Sequence, residues 1–388
     1  MRAPAIHGNE GLRAQAPIRV LHLRDSPWVD GPGRTILETG SHLDPSRVEY
    51  HIGVLVSDER AEHPLVDAAR ARGLSVLPMR DPGGLGGSLI DQLVEAIDRL
   101  GIDIVHTSEF RTNFLAKLCA RKRRFVHVGT AHGWIANTAR RRLVRLADKL
   151  LLGRCDHVVL VSEATRRLVP RWWLPDARAT VLHNALVLGT YGLDVVTAPR
   201  KAVDPTGEVV LVNVGRLSPE KGQEMLLRAL HVLTPKWPNV RLKFAGIGPL
   251  EAHLRSVASE LGLTHRVEFV GFVKDMPKLY AGVDLVVQSS YTEGLPNVIL
   301  EAAYLRVPIV ATAVGGTAEV VRHGYSACLI EPRLESLVEG IDAFLTNPKL
   351  FVRYAERAHT DIVERFSFDA RTLRLTQLYE SLLARSRP

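Results

Sequence analysis

The fold is decided by the stretch VVQSSYTEGLPNVILE, residues 286–301. Through a loop that contains glycine and proline, it joins an apolar run over residues 283–288 to a helical pattern over residues 298–305. Pro296 suits the first turn of that helix, because an N–H at this position would have no partner and the φ of proline is already helical. A strand that passes through a short loop into a helix is the repeating unit of a parallel α/β sheet.

The same alternation extends through the chain in both directions. Strand-like apolar runs occupy residues 18–24, 50–56, 74–77, 103–107, 125–129, 157–161, 179–183, 208–214, 240–245, 266–270, 283–288 and 307–312. Helical patterns cover residues 89–100, 225–233, 298–305 and 369–383. We therefore predict an α/β protein with two Rossmann-like, doubly wound parallel-sheet domains, whose ligands bind in the cleft that the carboxyl ends of the strands face.

Composition predicts where the domains begin and end. A polar, proline-containing segment, residues 195–207, reads as a linker between domains at 18–194 and 208–368. Residues 1–17 are predicted to be a disordered tail, and residues 369–388 a C-terminal helix. A chain of 388 residues with 46% hydrophobic content is long enough for each half to bury its own core.

The sequence also indicates the cellular compartment in which the protein is expected. Its three cysteines, Cys119, Cys155 and Cys328, lie far apart without a CxxC pair, which argues against a disulfide framework or a zinc site and fits a reducing cytoplasm. The N-terminus has no apolar segment typical of a secretory signal, and no apolar run approaches the roughly 18 residues of a membrane span. We predict a cytoplasmic protein that is at most peripheral on the membrane.

Positive charge is concentrated in the first half. The net charge is +8, and residues 111–154 contain 12 basic residues against one acidic residue, Asp148. This segment is either an ordinary solvated face or a surface that attracts anionic lipid headgroups or an anionic acceptor. Nucleic acid is not expected as a partner, because no aromatic-rich stacking stripe accompanies the charges.

The residues after the run 283–288 are suited to an anionic ligand. Backbone N–H groups of Leu295, Asn297 and Val298 are expected to point out of the helix start unpaired, and such a terminus binds a diphosphate well. Glu301, about one turn into the helix, can accept hydrogen bonds from ribose hydroxyls, and Glu293 can reach a sugar ring. Taken singly, both are also compatible with ordinary surface or helix-facing carboxylates.

A second loop, VGRLSPEKG at residues 214–222, follows the run 208–214. Arg216 can bind phosphate oxygens bidentately and Lys221 can add a point charge. Ordinary solvated cations beside a loop are the lesser alternative. No Asp-x-Asp occurs in the sequence. A protein-supplied clamp would then replace the divalent cation that other enzymes use, so we expect neither a metal nor a cofactor.

Read together, these segments resemble glycosyltransferase family 4, the retaining nucleotide-sugar glycosyltransferases with the GT-B fold. The matching pieces are GRLSPEKG (215–222), FAGIGPL (244–250), VEFVGFV (267–273), the E-x7-E stretch from Glu293 to Glu301, and PIVATAVGGTAE (308–319). The resemblance implies that Arg216 and Lys221 bind the donor diphosphate, Glu293 the sugar and Glu301 the ribose. It also implies a C-terminal helix that crosses back to the first domain.

Five further residues are candidates near the donor. Gly31 and Gly33 lie in a loop after the first strand, where the family has a shorter glycine-rich loop without proline. His132 follows the run 125–129; a lone histidine is usually structural, but the family often has a His-Gly pair here, close to the transferred sugar. Gly248, like Gly294 in the E-x7-E stretch, is placed in the donor site, although the GxG at 246–248 is equally compatible with a simple tight turn.

The reading that follows is a retaining, metal-independent glycosyltransferase that moves a hexose-type sugar from a nucleoside diphosphate. UDP is favoured and GDP is second, and the acceptor is a saccharide or lipid-linked hydroxyl in polysaccharide or glycolipid synthesis. A nucleotide-sugar 2-epimerase and a non-catalytic polysaccharide- or nucleotide-binding subunit are the alternatives. An NAD dehydrogenase ranks last, because the chain contains no complete GxGxxG.

Overall fold

The computed structural model describes residues 16–26, 29–57, 63–81, 87–132, 139–188 and 202–386, without the side chains of residues 139–145. Most of the predicted tail at 1–17 and of the predicted linker at 195–207 therefore lies outside the described residues.

The first half forms a seven-stranded parallel sheet in the order β3-β2-β1-β4-β5-β6-β7. Its strands are β1 (Ile18–Arg24), β2 (Val48–Ser57), β3 (Ser75–Asp81), β4 (Ile104–Thr107), β5 (Val126–Ala131), β6 (His157–Leu160) and β7 (Ala179–Val181). Helices that pack around it are α1 (Gly31–His42), α2 (Pro64–Ala71), α3 (Gly87–Leu100), α4 (Phe110–Cys119), α5 (Ala139–Leu152) and α6 (Glu163–Arg167).

The second half repeats the arrangement in a six-stranded parallel sheet, in the order β10-β9-β8-β11-β12-β13. Its strands are β8 (Val209–Val214), β9 (Val240–Ala245), β10 (Val267–Gly271), β11 (Leu285–Gln288), β12 (Ile309–Thr312) and β13 (Cys328–Ile330). The helices are α7 (Gln223–Leu233), α8 (Glu251–Glu260), α9 (Met276–Ala281), α10 (Asn297–Tyr304), α11 (Thr317–Val320), α12 (Leu334–Thr346), α13 (Pro348–Arg365) and α14 (Phe368–Ser386).

The last helix, α14, returns to the first domain. Tyr379 meets His106 of β4 through a buried hydrogen bond of 2.7 Å between Oη and Nδ1. Arg371, also buried, donates from Nη1 to Oγ1 of Thr39 on α1 at 2.9 Å. The predicted fold class, two doubly wound sheets facing across a cleft with a C-terminal helix crossing back, is thus confirmed.

Differences from the prediction occur at the ends of elements. β3 continues to Asp81, beyond the predicted end at residue 77, and β13 was missed because Cys328–Ile330 is too short to give a periodic signal. Helix α10 begins at Asn297, so Pro296 is its N-cap instead of its first residue. In the described part of the chain, no helix is long and apolar enough to cross a membrane.

Candidate active site

The candidate residues of the second domain follow the two strands at the centre of its sheet. β8 and β11 are neighbours, and the chain leaves them in opposite directions, to β9 on one side and β12 on the other. Arg216 follows β8, and Glu293 follows β11. Such a switch point opens a crevice at the carboxyl ends of the strands, which is where open α/β sheets bind ligands.

The N-terminus of helix α10 lies at this crevice, and two of its amides have no backbone acceptor among the described residues. Pro296 is its N-cap, and the carbonyl oxygen of Pro296 accepts from the amides of Ile299 and Leu300. For the amides of Asn297 and Val298, no backbone acceptor is found among the described residues. Because the helix dipole adds partial positive charge, this start is suited to a diphosphate.

The carboxylate of Glu293 is fixed in position by one of its oxygens. Oε1 accepts from Lys221 Nζ at 2.7 Å, Ser290 Oγ at 2.6 Å and Gln288 Nε2 at 3.1 Å. Within the described ranges, Oε2 has no hydrogen-bond donor. The second oxygen is therefore left to accept a hydroxyl hydrogen from a ligand, while the first holds the group in place.

The two candidate cations of the 214–222 loop differ in their surroundings. Lys221 is partly buried and paired with Glu293, which places its ammonium group at the loop that precedes α10. Arg216 is exposed, and its guanidinium has no ion pair with another described residue. Its backbone carbonyl oxygen accepts from Gln223 Nε2 at 2.9 Å, which fixes the loop and leaves the side chain to meet an anion.

Glu301 lies on the side of α10 that faces the first domain. Its side chain is only 5% exposed, and its Oε1 accepts from Nη1 of Arg34 at 3.0 Å. Tyr280 Oη donates to Oε2 at 3.3 Å. A carboxylate this deeply buried needs such partners, and a ribose diol offers the same kind of donor.

The first domain contacts the same loop and helix start at three places. Gly294 lies directly against the carbonyl oxygen of His132, so a Cβ there would overlap it. Asn184 Nδ2 donates to the Leu295 carbonyl oxygen at 3.3 Å and to Asn297 Oδ1 at 3.1 Å. These contacts place the first domain over residues 294–297.

Three of the predicted glycines have different surroundings. Gly31 faces Asn297 across the cleft, since a Cβ on Gly31 would lie 3.1 Å from Asn297 Nδ2. The Gly33 amide donates to Asp30 Oδ1 at 3.0 Å, so in this structure it is engaged as part of an N-cap. Gly248 packs against the backbone of Leu217, in the loop over residues 214–222.

One imidazole nitrogen of His132 has no hydrogen-bond partner among the residues that the structure describes. The ring is half-buried, but its Nε2 is closed off from solvent and has no hydrogen bond in the described part of the chain. Burial, reinforced by the positive charges of Arg24 and Arg371, lowers the pKa of His132 to about 3. His132 is therefore neutral at physiological pH and can form a hydrogen bond without adding charge. Gly133 and Trp134 lie outside the described residues.

Charged side chains at the cleft edge of the first sheet are paired with one another. Arg24, at the end of β1, is buried and bonds both oxygens of Asp30 at 2.8 Å and also contacts Glu109. Arg111 bonds Asp81 with both of its terminal nitrogens. Among the described residues, no three His, Cys, Asp or Glu side chains are grouped as a metal site would require.

Sequence reasoning missed residues that join the domains. Glu319 accepts from His183 Nε2 and from the amides of Glu163 and Ala164, each at 2.8 Å, and so caps α6 of the other domain. Burial alone would raise the pKa of Glu319, but these hydrogen bonds lower it overall. Both Asn184 and His183 follow the last strand of the first sheet, the position that identified the other candidates. Arg34 was also missed. It lies in the first turn of α1, which begins at Gly31, so Gly31 and Gly33 are helix residues and not part of a loop.

Comparison with known proteins identifies the family. The profile described as Glycosyltransferase Family 4 matches residues 29–188, and the profile described as Glycosyl transferases group 1 matches residues 196–361. This chain belongs to glycosyltransferase family 4. An uncharacterized glycosyltransferase of Haemophilus influenzae is 26% identical over 274 residues, which are 70% of this chain and 74% of that protein. The lipopolysaccharide core biosynthesis glycosyltransferase LpsE of Rhizobium meliloti is 33% identical over 192 residues, 49% of this chain and 54% of that one.

Solved structures place this family 4 glycosyltransferase in the GT-B fold. Anabaena HepE in complex with UDP and glucose has a TM-score of 0.79 and 21% identity, over 94% of this chain and 100% of that chain. Sucrose-phosphate synthase from Thermosynechococcus elongatus has a TM-score of 0.77 and 19% identity, over 95% of this chain and 100% of that chain. At these identities the likeness establishes the fold, while the family supplies the activity, sugar transfer.

Proposed function

We propose that this family 4 enzyme transfers a hexose-type sugar from a nucleoside diphosphate to a hydroxyl of a saccharide or lipid-linked acceptor, with retention at the anomeric carbon. UDP is the favoured nucleotide and GDP the second. The observation that carries the proposal is the convergence of Lys221, Glu293 and the open start of α10, with Glu301 one turn further along the helix. HepE structures that hold UDP and UDP-glucose support the choice of nucleotide.

Each side chain then has a defined task. The diphosphate rests against the Asn297 and Val298 amides, and Arg216 and Lys221 balance the charge that grows on it as the bond to the sugar breaks. Glu293 orients the sugar through its second oxygen, and the neutral ring of His132 donates or accepts a hydrogen bond at the same sugar. In this scheme protein cations do what a divalent metal does in other transferases.

Retention requires that the acceptor attack the face from which the diphosphate leaves. The acceptor oxygen forms the new bond to the anomeric carbon, the bond to the diphosphate oxygen breaks, and the acceptor proton passes to that leaving oxygen. No additional base is needed. The first-domain contacts over residues 294–297 support this scheme, because such a lid would exclude water and protect the donor from hydrolysis.

Two parts of the proposal, the lipid-linked acceptor and the peripheral membrane attachment, are supported by the surface of the first domain. In the described part of the basic run over residues 111–154, three residues are already paired with carboxylates: Arg111 with Asp81, Lys122 with Asp91 and Arg123 with Asp98. Apolar side chains are nevertheless exposed nearby on α5 and after α6: Leu146, Leu150, Leu168 and Trp172, the last at 85%. Exposed aliphatic and tryptophan side chains beside cations suit an anionic bilayer surface, and synthesis of polysaccharide or glycolipid would place the acceptor there.

Incubation of the purified protein with UDP-glucose and GDP-mannose in EDTA, with and without a membrane extract as acceptor, tests the proposal. We expect acceptor-dependent release of the nucleoside diphosphate that chelation does not change. Formation of an isomerised donor sugar without acceptor would instead identify an epimerase. Binding of nucleotide without any turnover would indicate a non-catalytic subunit.

A further inference from the structure

The pair formed by Arg34 and Glu301 crosses the cleft. Arg34 belongs to α1 of the first domain, and its Nη1 lies 3.0 Å from Glu301 Oε1 on α10. The arginine side chain is 41% exposed and the glutamate 5%. One partner is therefore fixed and buried, while the other can swing into solvent or toward a ligand.

The starts of α1 and α10 lie side by side. Gly31, the first residue of α1, faces Asn297, the first residue of α10. Arg34 and Glu301, each about one turn further into its helix, form the next contact along the same seam. A diphosphate at the start of α10 would lie close to the helix start from which Arg34 projects.

Arg34 and a ribose diol compete for the same carboxylate. In this structure Glu301 accepts from Arg34 at one oxygen and from Tyr280 at the other. A carboxylate can accept more than two hydrogen bonds, but the Glu301 side chain is only 5% exposed, which leaves little room for a diol beside both partners. The Arg34 side chain, at 41% exposed, is the easier of the two to displace. Once displaced, its guanidinium is a free cation beside two negatively charged phosphates.

We propose that Arg34 is a donor-binding residue that exchanges partners when the donor binds. Before binding it neutralises Glu301, and after binding it contacts the diphosphate as a third cation, supplied by the first domain. Binding of the ribose by the second domain is thereby linked to the contact between Arg34 of the first domain and the diphosphate. The inference rests on the proposed function, because it takes Glu301 as the ribose-binding group.

The exchange predicts opposite effects of one substitution on two ligands. In Arg34→Ala the competitor of the ribose is gone, so uridine should bind more tightly, by about threefold or more. UDP should bind about tenfold more weakly, because a charge-assisted contact to the diphosphate is lost. The gain should disappear with 2′-deoxyuridine, which lacks one hydroxyl of the diol.

Matched variants separate this exchange from a general loss of structure. Arg72→Ala removes a similar exposed arginine that pairs with Glu38 of α1 at 2.8 Å, and it should leave both affinities unchanged. Arg34→Lys should recover part of the UDP affinity as a point charge. If Arg34→Ala does not fold, Arg34→Gln gives the same comparison with a neutral side chain of intermediate length.

Isothermal titration calorimetry measures the affinities of the wild type and the variants for uridine, 2′-deoxyuridine and UDP. If the wild type prefers guanine, guanosine, 2′-deoxyguanosine and GDP are used instead. A tighter nucleoside with a weaker nucleoside diphosphate supports the exchange. Unchanged affinities, or equal weakening of both ligands, overturns it while leaving the proposed function intact. If the wild type binds neither UDP nor GDP, the proposed function fails and the exchange fails with it.

Discussion

Lys221 donates to Glu293 across 2.7 Å, so the cation proposed for the diphosphate and the carboxylate proposed for the sugar are already in contact. Under the proposed function, both residues would act on neighbouring parts of one donor, at the bond that breaks. The pairing engages one oxygen of Glu293, and in the proposed function the other oxygen orients the sugar.

The first prediction concerns that free oxygen. Glu293→Ala should lower kcat by about two to three orders of magnitude, because the sugar loses its oriented acceptor while the diphosphate keeps its cations. UDP affinity should change little. Steady-state transfer rates and calorimetric UDP titration measure the two effects. Transfer at the wild-type rate would remove Glu293 from the mechanism.

The second prediction concerns the exposed guanidinium of Arg216. Arg216→Ala should weaken UDP binding by roughly 30-fold, the effect of losing a charge-assisted bond of about 2 kcal/mol. Uridine affinity should stay the same, because no phosphate is involved. Arg228→Ala, which removes a surface arginine paired with Glu224 within α7, is the matched control. An equal loss for uridine and UDP would place Arg216 away from the phosphates.

The third prediction concerns the contact of Glu319 with the opposite domain. Glu319→Ala leaves His183 and the two amides at the start of α6 without their acceptor, and we expect a loss of about 2 kcal/mol of unfolding free energy. Glu319→Gln should lose less, since an amide oxygen can still cap the helix. Urea denaturation of the three proteins measures this order. Equal stability of Glu319→Ala and the wild type would show that the contact contributes nothing.

The fourth prediction concerns acid sensitivity. Among the described residues, burial is the main cause that lowers the pKa of seven histidines. The pKa falls to about 3 for His106 and His132, to about 4 for His127 and His157, well below 6.5 for His22, and below 6.5 for His51 and His359. The unfolded chain binds protons at these sites below pH 6.5 while the native chain does not, so stability is full above pH 6.5 and is lost as pH falls toward the native pKa values.

Urea denaturation between pH 5 and 6.5, above the range in which most carboxylates titrate, measures this loss. Its slope should correspond to at least about four protons taken up on unfolding near pH 5.5, and to about one fewer in His157→Gln than in the wild type. Stability that does not change across this range would contradict neutral burial of these histidines.

Much of the fold follows from local pattern. Buried parallel strands such as β8 and β11 read as continuous apolar runs, and their helices carry the complementary periodicity, so the doubly wound order was predictable. The short β13 and the extra length of β3 were not, because pairing with a neighbouring strand defines them more than their own composition does.

The site was predictable where residues directly follow a strand. Arg216, Lys221, Glu293 and Glu301 could be named from the second half alone, because loop, helix start and charge lie within short stretches of sequence. The contacts of Arg34 with Glu301 and of His183 with Glu319 join residues more than 130 positions apart. No local pattern encodes which carboxylate of one domain an arginine or histidine of the other will meet.

The account depends most on where the diphosphate lies, and a crystal structure of the protein with UDP-glucose measures it directly. We expect phosphate oxygens about 2.7–3.2 Å from the amides of Asn297 or Val298, with the guanidinium of Arg216 and the ammonium of Lys221 on the same group. A diphosphate bound elsewhere in the cleft, with both cations turned away from it, would contradict the account.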